Sequence, residues 1–274
     1  MGVLARLLEA RTGQQIAANR SWRIETALKP MLRARGHETL DGLVGDLLDD
    51  STGVIGEQIV DALLNQESSF FRDAGVLEMV MTAVETIEAE SPGCRPRIWS
   101  AACSTGQEPL SLAMLFAERA QTSGKPEPEI QATDVSEAAL SRARSGRFSQ
   151  FEIQRGLPVR RMIQWFDAAE SDWVARPELV RRVSFRRHNL VGDPAPSGRF
   201  DVVLCRNVLM YLTPTLRRRV FEMLSQAVKP GGLLVLGAGE TVIGNTEAFA
   251  PSRRFRGFYE PATDTTMPTS RAAA

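Results

Sequence analysis

The segment Ile98–Ala113, IWSAACSTGQEPLSLA, combines the pattern of a buried strand with a turn of small residues and the start of a helix. Dinucleotide-binding folds place three glycines at such a junction, so that bare amides at the helix N-terminus hold a pyrophosphate. This junction has only Gly106, and Glu108 stands in the first helical turn. A carboxylate there repels phosphate and attracts a cation. We therefore expect a ligand that carries an ammonium or sulfonium group.

Polar side chains also follow the next two predicted strands. Asp134 ends the strand EIQATD, a position from which an acid commonly accepts hydrogen bonds from both ribose hydroxyls. Asn189 and Leu190 come at the end of VSFRRHNL. An amide next to an apolar side chain suits the edge and the face of a purine, so these residues favour an adenosine ligand.

A further strand, FDVVLC, is followed by Arg206 and Asn207, and Tyr211 lies in the same loop. In an open α/β sheet the ligand lies beyond the carboxyl ends of the strands, so we expect all these side chains around one site. Adenosine with a positively charged tail suits this set of side chains. S-adenosylmethionine has that shape and charge, and it is the predicted cofactor.

The elements that must position these residues alternate between strands and helices over the range 71–260. A helix over Val76–Glu90 precedes the first strand, and short apolar runs then alternate with helical patterns as far as LLVLG, with KPGG predicted as a turn. Strands buried on both faces and separated by helices indicate an α/β fold with a doubly wound, mostly parallel sheet. Ser136 and Thr213 are the predicted N-caps of two of the helices.

The chain on either side of this range has a different character. Residues 1–70 show only helical periodicity, which predicts a small all-α N-terminal domain, with Pro30 expected to kink or restart its second helix. Residues 261–274, PATDTTMPTSRAAA, are poor in large apolar side chains and are predicted to be a disordered tail.

Composition excludes several classes of protein. The 274 residues include three cysteines and two histidines and carry a net charge of zero. The cysteines form no CxxC pair, so no metal site is predicted, and the scarcity of histidine argues against a histidine base. Zero net charge argues against a nucleic-acid partner. No apolar run approaches the ~20 residues of a membrane span, and no signal peptide is recognised, so membrane insertion is not expected and a cytoplasmic location is.

Seven segments resemble one known family when they are taken together and in order. They are QESSFFRD (66–73), IWSAACSTGQEPLSLA, ATDVS, ARSGRF, FRRHNL, FDVVLCRNVLMYL and KPGGLLVLGAGE. The chain resembles the CheR family of chemotaxis receptor methyltransferases. The resemblance implies a Rossmann-like methyltransferase sheet behind the helical domain and a monomeric protein. It also implies methyl transfer from S-adenosylmethionine to glutamate side chains on the cytoplasmic domain of methyl-accepting chemotaxis receptors.

The resemblance also implies which side chains line the cofactor. These are Gln66, Ser68, Arg72, Glu108, Asp134, Asn189, Leu190, Arg206 and Asn207. Gln66 and Ser68 replace the Asn and Thr of the family pattern NETxFFR, and both retain hydrogen-bonding groups. We therefore expect cofactor binding to be kept.

Arg72 and Tyr211 are the predicted catalytic residues, because each could orient an incoming carboxylate. A receptor glutamate has a reference pKa of about 4.3 and is already ionised at neutral pH, so no general base is needed. The alternative for Arg72 is a structural ion pair with Asp73 or Glu67, and the alternative for Tyr211 is plain packing.

Receptor recognition is assigned to the N-terminal domain by the same resemblance. The candidates for that surface are basic side chains of the first helices, namely Arg20, Arg23, Lys29, Arg33 and Arg35. The segment 166–183 takes the place of a small β-subdomain and holds no glycine, which disfavours a requirement for a tethering receptor peptide. An alternative function is a non-catalytic signalling module that binds S-adenosylmethionine or S-adenosylhomocysteine.

Overall fold

A seven-stranded, mostly parallel sheet organises the chain in the computed structural model, which describes residues 1–262. The strands are β1 (Arg97–Ala101), β2 (Glu129–Asp134), β3 (Arg147–Ser149), β4 (Phe166–Ala169), β5 (Asp172–Ala175), β6 (Val183–Arg187), β7 (Phe200–Cys205), β8 (Val228–Leu236), β9 (Phe249–Pro251) and β10 (Phe258–Pro261). Pro261, where the predicted disordered tail begins, ends β10, and residues 263–274 lie outside the described part of the chain.

The strand order of the large sheet is β6-β2-β1-β7-β8-β10-β9. The first five strands of this order are parallel, and β10 pairs antiparallel with both β8 and β9. The direction of winding reverses between β1 and β7. The carboxyl ends of β2, β1 and β7 therefore lie side by side at the switch point, and the predicted α/β, doubly wound fold is confirmed.

Helices cover both faces of the sheet and form the N-terminal region. They are α1 (Gly2–Thr12), α2 (Trp22–Arg35), α3 (Leu40–Asp49), α4 (Val54–Leu63), α5 (Ala74–Glu90), α6 (Gln107–Ser123), α7 (Glu137–Ser145), α8 (Gln150–Gln154), α9 (Val159–Trp165), α10 (Pro177–Val180) and α11 (Pro214–Ala227). The predicted N-caps are confirmed: Ser136 Oγ accepts from Ala139 N–H at 3.0 Å, and Thr213 Oγ1 accepts from Leu216 N–H at 3.2 Å. Within residues 1–262, none of these helices is both long and apolar enough to cross a bilayer.

Three apolar clusters hold the layers together. One face of the sheet packs against α5 and α6, and the other face packs against α11. A third cluster joins the four helices α1, α2, α3 and α4 through side chains such as Leu4, Leu28 and Ile59. The strands β1 and β7 are almost completely buried, which explains why their sequences read as continuous apolar runs.

Two local predictions need correction. The helix α2 does not restart at Pro30 but continues through it as far as Arg35. Proline removes the hydrogen bond to the carbonyl of Thr26, but both residues are exposed, so water can satisfy that carbonyl. The predicted turn KPGG lies inside β8, which begins at Val228 and accommodates these residues through a register shift against β7.

A small antiparallel sheet of order β3-β5-β4 stands beside the main sheet. Phe70 packs edge-on against Phe148 and Phe166 of this small sheet, with ring centroids 4.9 and 5.5 Å away. Aromatic pairs in this arrangement hold their elements firmly. The small sheet thus fixes the chain segment that leads directly into Arg72.

Candidate functional site

All the predicted site residues line one pocket at the carboxyl ends of β1, β2 and β7. They are Gln66, Ser68, Arg72, Glu108, Asp134, Asn189, Leu190, Arg206, Asn207 and Tyr211. The pocket encloses about 950 Å³ of space, part of it open to solvent. Pockets that bind small molecules and cofactors commonly have volumes of this order.

The turn after β1 forms the floor of the pocket through an unusual backbone. Ala102, Ser104 and Gly106 have φ angles of 56°, 52° and 92°, in the left-handed region. A Cβ at Gly106 would lie 2.8 Å from the Cβ of Ala143 on α7. Only glycine therefore lets the turn approach α7 so closely. Left-handed non-glycine residues tend to cluster at functional sites, where the surrounding structure holds them.

Asp134 is the acid of the pocket that has no arginine partner. Its side chain is buried, and its two oxygens accept hydrogen bonds from the backbone N–H groups of Ser104 and Ser136 at 2.8 and 2.9 Å. Burial nevertheless raises the pKa of this carboxyl above its ordinary value. An ionised carboxylate has about four acceptor positions, so Asp134 retains capacity for further donors such as hydroxyl groups.

Glu108 lies in the pocket, but its charge is compensated. Its carboxylate accepts from the Ser100 hydroxyl at 2.8 Å and from Arg206 Nη1 at 2.9 Å. Arg206 is almost completely buried and also pairs with Asp73. The expectation that Glu108 attracts a cationic ligand by its bare charge needs correction, because Arg206, which Glu108 shares with Asp73, compensates part of that charge. Glu108 and Arg206 shape the wall of the pocket as an ion pair.

Arg72 is the cation of the pocket whose guanidinium is left without an acceptor. Among residues 1–262, no carboxylate or carbonyl accepts a hydrogen bond from the Arg72 side chain. The two acids that were alternative partners are engaged elsewhere: Asp73 pairs with Arg206, and Glu67 pairs with Arg155. The left-handed φ angles of Phe71 and Asp73, 51° and 55°, flank Arg72 in the chain. The backbone thus holds Arg72 at the pocket while its charge stays available.

The loop after β7 presents Asn207 and Tyr211. Asn207 has a φ of 60°, and a Cβ at Gly237 would lie 2.6 Å from its Nδ2, so glycine is needed beneath this amide. Tyr211 ends a three-residue 3₁₀ turn, Leu209–Tyr211, and its hydroxyl accepts a hydrogen bond from the side-chain amide of Asn65. Tyr211 is therefore oriented by a polar contact as well as by packing.

The remaining predicted residues differ in how free their polar groups are. Gln66 donates to the Ser136 hydroxyl at 3.2 Å, and Asn189 donates from Nδ2 to the carbonyl of Arg11 at 2.8 Å. Leu190 is partly buried and packs against the core beneath α11. Within residues 1–262, Ser68 makes no side-chain hydrogen bond, so its hydroxyl is available to a ligand.

The sequence analysis missed the part of the pocket that comes from the N-terminal helices. Thr12 and Gln14, at the end of α1 and just after it, line the pocket together with Asn65. The backbone N–H of Gln15 donates to the carbonyl of Tyr211 at 2.8 Å, and Gln14 forms an isolated antiparallel bridge with Leu212. Nothing local in the sequence signals these contacts, since they join segments almost 200 residues apart.

The donors and acceptors of the pocket fit S-adenosylmethionine. A buried acid with unused acceptor positions suits ribose hydroxyls, the apolar side chains of Ala102 and Leu190 suit a purine face, and the hydroxyl of Ser68 is an available polar contact. Within the described residues, no group of three or more His, Cys, Asp or Glu side chains is placed so that it could hold a metal ion.

Comparison with known proteins identifies the family. The model of the family described as "CheR methyltransferase, SAM binding domain" matches residues 66–256, more than half of the chain. The chain belongs to the CheR methyltransferase family. Its cofactor is S-adenosylmethionine, and its enzyme class is methyltransferase, as predicted.

Similar proteins cover most of the chain. The chemotaxis protein methyltransferase Cher2 of Pseudomonas putida is 35% identical over 86% of this chain and 88% of its own length. Chemotaxis protein methyltransferase 1 of Pseudomonas aeruginosa is 36% identical over 86% of this chain and 87% of its own length. The S-adenosylmethionine-bound structure of CalS10, an amino pentose methyltransferase from Micromonospora echinaspora, shows a TM-score of 0.35 and 18% identity over 63% of this chain and 58% of its own. That structural likeness is too weak to carry an argument.

Proposed function

We propose that this CheR-family enzyme methylates glutamate side chains on the cytoplasmic domains of methyl-accepting chemotaxis receptors. The relatives from Pseudomonas putida and Pseudomonas aeruginosa are named chemotaxis protein methyltransferases, which supports a role in chemotaxis. The observation that carries the proposal is the unengaged guanidinium of Arg72 in the cofactor pocket. A guanidinium without an acceptor suits a carboxylate, and in this proposal Arg72 serves both the carboxylate of the cofactor tail and that of the receptor glutamate. Transfer of label to a receptor, which binding alone cannot give, separates the enzyme from a non-catalytic module.

Two side chains take the catalytic roles in this proposal. Arg72 donates hydrogen bonds to the incoming glutamate carboxylate and fixes the direction of its oxygen. Tyr211, held by Asn65, contacts the same carboxylate. When bound, the cofactor supplies an activated methyl group on a sulfonium. The residues of the site need only align the carboxylate and exclude water, and positioning of this kind can contribute roughly 7–11 kcal/mol to a reaction.

The remaining pocket residues are proposed to hold the cofactor. Asp134 accepts hydrogen bonds from the ribose, Asn189 and Leu190 contact the purine, and Gln66 and Ser68 contact the tail. The Glu108–Arg206 pair forms the wall next to the tail. Asn207 presents its amide from the loop after β7.

The organisation of the chain fits the same proposal. Residues 1–70 are assigned to substrate recognition and residues 71–260 to methyl transfer, with the enzyme acting as a monomer in the cytoplasm, where its receptor domains are exposed. Arg20, Lys29 and Arg33 are exposed on and next to α2, and Arg23 is partly exposed there, which is suitable for contact with an acidic receptor surface. Arg35 is engaged with Asp46 and is a weaker candidate.

The test uses S-adenosylmethionine labelled on the methyl group and a panel of receptor cytoplasmic domains. Carboxyl methyl esters release methanol in base, so base-labile volatile label on the receptor is the expected result. The matched variants are Arg72→Ala and Arg218→Ala, since Arg218 is exposed on α11. A hydrogen bond to a charged group contributes about 1.5–3 kcal/mol, so Arg72→Ala should lower kcat/KM roughly 10- to 150-fold. Equal turnover of the two variants would refute the role of Arg72.

A further inference from the structure

The short turn that carries Tyr211 is held at both ends by charged side chains that do not line the pocket. The turn Leu209–Tyr211 is a single 3₁₀ turn. So short a helix has too few internal hydrogen bonds to be stable alone, and its end groups need partners from outside. Those partners are Glu240 and Arg217.

Glu240 occupies the N–H end of the turn. One carboxylate oxygen accepts from the N–H groups of Leu209 at 2.8 Å and Met210 at 3.4 Å. The other accepts from the N–H groups of Asn207 at 2.7 Å and Gly237 at 3.0 Å. A single side chain thus joins the loop after β7 to the loop after β8. It also holds Asn207 in its left-handed conformation.

Arg217 occupies the carbonyl end of the turn. Its Nε donates to the carbonyl of Leu209 at 3.1 Å, and its Nη2 donates to the carbonyl of Leu212 at 3.3 Å. The third group, Nη1, donates to the side chain of Asn245 at 3.1 Å. A planar guanidinium can make these three contacts at once, and an ammonium group cannot.

The two charges match the backbone groups that they meet. The carboxylate of Glu240 accepts from N–H groups and the guanidinium of Arg217 donates to carbonyls, and charge-assisted hydrogen bonds are the stronger kind. Glu240 and Arg217 together form a clamp that opposes rotation of the turn at both ends. Tyr211 is the last residue of this turn, so the direction of its ring depends on how both side chains hold the turn.

We propose that Glu240 and Arg217 are positioning residues that fix Tyr211 and Asn207 for methyl transfer by clamping the Leu209–Tyr211 turn. This inference rests on the proposed function for its kinetic consequence only. Neither side chain needs to touch the cofactor or the receptor. A displacement of about 1 Å at a reacting group can cost 10²-fold in rate, so loss of either charge should lower kcat by about that factor.

The chain offers a direct probe of the clamp, because it contains only two tyrosines. Tyr259→Phe removes the other one, which lies on β10. Growth with 3-fluorotyrosine then gives a protein with a single ¹⁹F label at position 211. We expect one narrow signal from the clamped ring, and a broadened signal shifted toward that of free tyrosine in Glu240→Gln and in Arg217→Gln.

Matched controls lie close in sequence and lack these contacts. Glu247 and Arg218 are exposed, and within residues 1–262 neither side chain makes an ion pair. Glu247→Gln and Arg218→Gln should leave the ¹⁹F signal and kcat unchanged. Arg217→Lys should give an intermediate result, because it keeps the charge but replaces three separate donor nitrogens by one. In Arg217→Gln the carbonyl of Leu209 keeps the hydrogen bond from the N–H of Leu212, so this variant is the second arm of the test if Glu240→Gln unfolds.

The kinetics of double variants that include Tyr211→Phe separate a positioning role from a general structural effect. Each clamp variant, Glu240→Gln or Arg217→Gln, is combined with Tyr211→Phe. If the clamp acts through Tyr211, each double variant should lose no more kcat than the more damaging of its two single changes. Losses that multiply, or a ¹⁹F signal that is unchanged in both clamp variants, would overturn the inference. A protein that methylates no receptor but shows the ¹⁹F change would refute the proposed function and leave the clamp standing.

Discussion

The buried pair between Arg206 and Glu108 gives a stability prediction that can be worked from the structure. The Arg206 side chain is 2% exposed and that of Glu108 is 14% exposed, and their charged atoms are 2.9 Å apart. Arg206→Met keeps most of the apolar volume and removes the charge. Asp73, the other partner, is 41% exposed, so water can replace its lost contact. Glu108 is left as a buried charge with only the hydroxyl of Ser100 as a partner.

The expected magnitude follows from that residual charge. Removing one partner of a buried pair costs about 3–5 kcal/mol, because the other charge stays buried without compensation. For a chain of this size each kcal/mol corresponds to roughly 2–4 °C in Tm, so Arg206→Met should lower Tm by roughly 6–20 °C. Adding Glu108→Gln to Arg206→Met should recover part of the loss, since the amide needs less solvation than the carboxylate.

Urea unfolding, followed by circular dichroism, measures the free energy of unfolding of Arg206→Met and of the double variant with Glu108→Gln. Arg218→Met is the matched control on the exposed face of α11 and should change the free energy of unfolding by about 0.5 kcal/mol or less. A loss of less than about 1 kcal/mol in the free energy of unfolding of Arg206→Met would show that the Arg206–Glu108 pair does not stabilise the fold as argued. An absence of recovery in the double variant would show that the residual charge of Glu108 is not the cause.

Two further predictions concern the floor and the acid of the pocket. Gly106→Ala should destabilise the fold by about 1–3 kcal/mol in urea unfolding, because the added Cβ meets Ala143 at 2.8 Å and φ is 92°; wild-type stability would contradict this. Burial raises the pKa of the Asp134 carboxyl above the ordinary aspartate value of about 3.9. Acidification should therefore weaken the binding of S-adenosylhomocysteine, measured by calorimetry, at a pH above that value. Asp134→Asn should abolish this pH dependence. The sign for stability is opposite: the contribution of Asp134 to folding is present at low pH and is lost as pH rises through the raised pKa. Asp61, whose pKa is also raised by burial, is one of the charges that raise the pKa of Asp134, so an Asp61→Asn variant should keep the pH dependence of binding and move it to lower pH.

The sequence was sufficient for features that local pattern and strand order determine. The alternation of buried strands with helices predicts the parallel sheet, and the rule that ligands lie at the carboxyl strand ends brings Glu108, Asp134 and Arg206 to one place. The caps at Ser136 and Thr213 follow from residue type alone.

The features that the sequence does not reveal depend on contacts between distant segments. Arg72 is free only because Arg206 and Arg155 take the acids next to it, and those pairs span more than 80 residues of sequence. The compensation of Glu108 by Arg206 has the same origin. Glu240 is an ordinary acid in the sequence, and its role becomes visible only when the loop after β8 lies against the loop after β7.

The central claim is that the residues at the carboxyl ends of β1, β2 and β7 form one binding site for S-adenosylmethionine. Isothermal titration of the folded chain with S-adenosylhomocysteine tests it most directly. We predict one molecule bound per chain, and loss of most of the binding heat in Asp134→Ala while thermal unfolding stays cooperative. A folded wild-type sample that takes up no S-adenosylhomocysteine, or an Asp134→Ala variant that binds it as tightly as the wild type, would contradict the account.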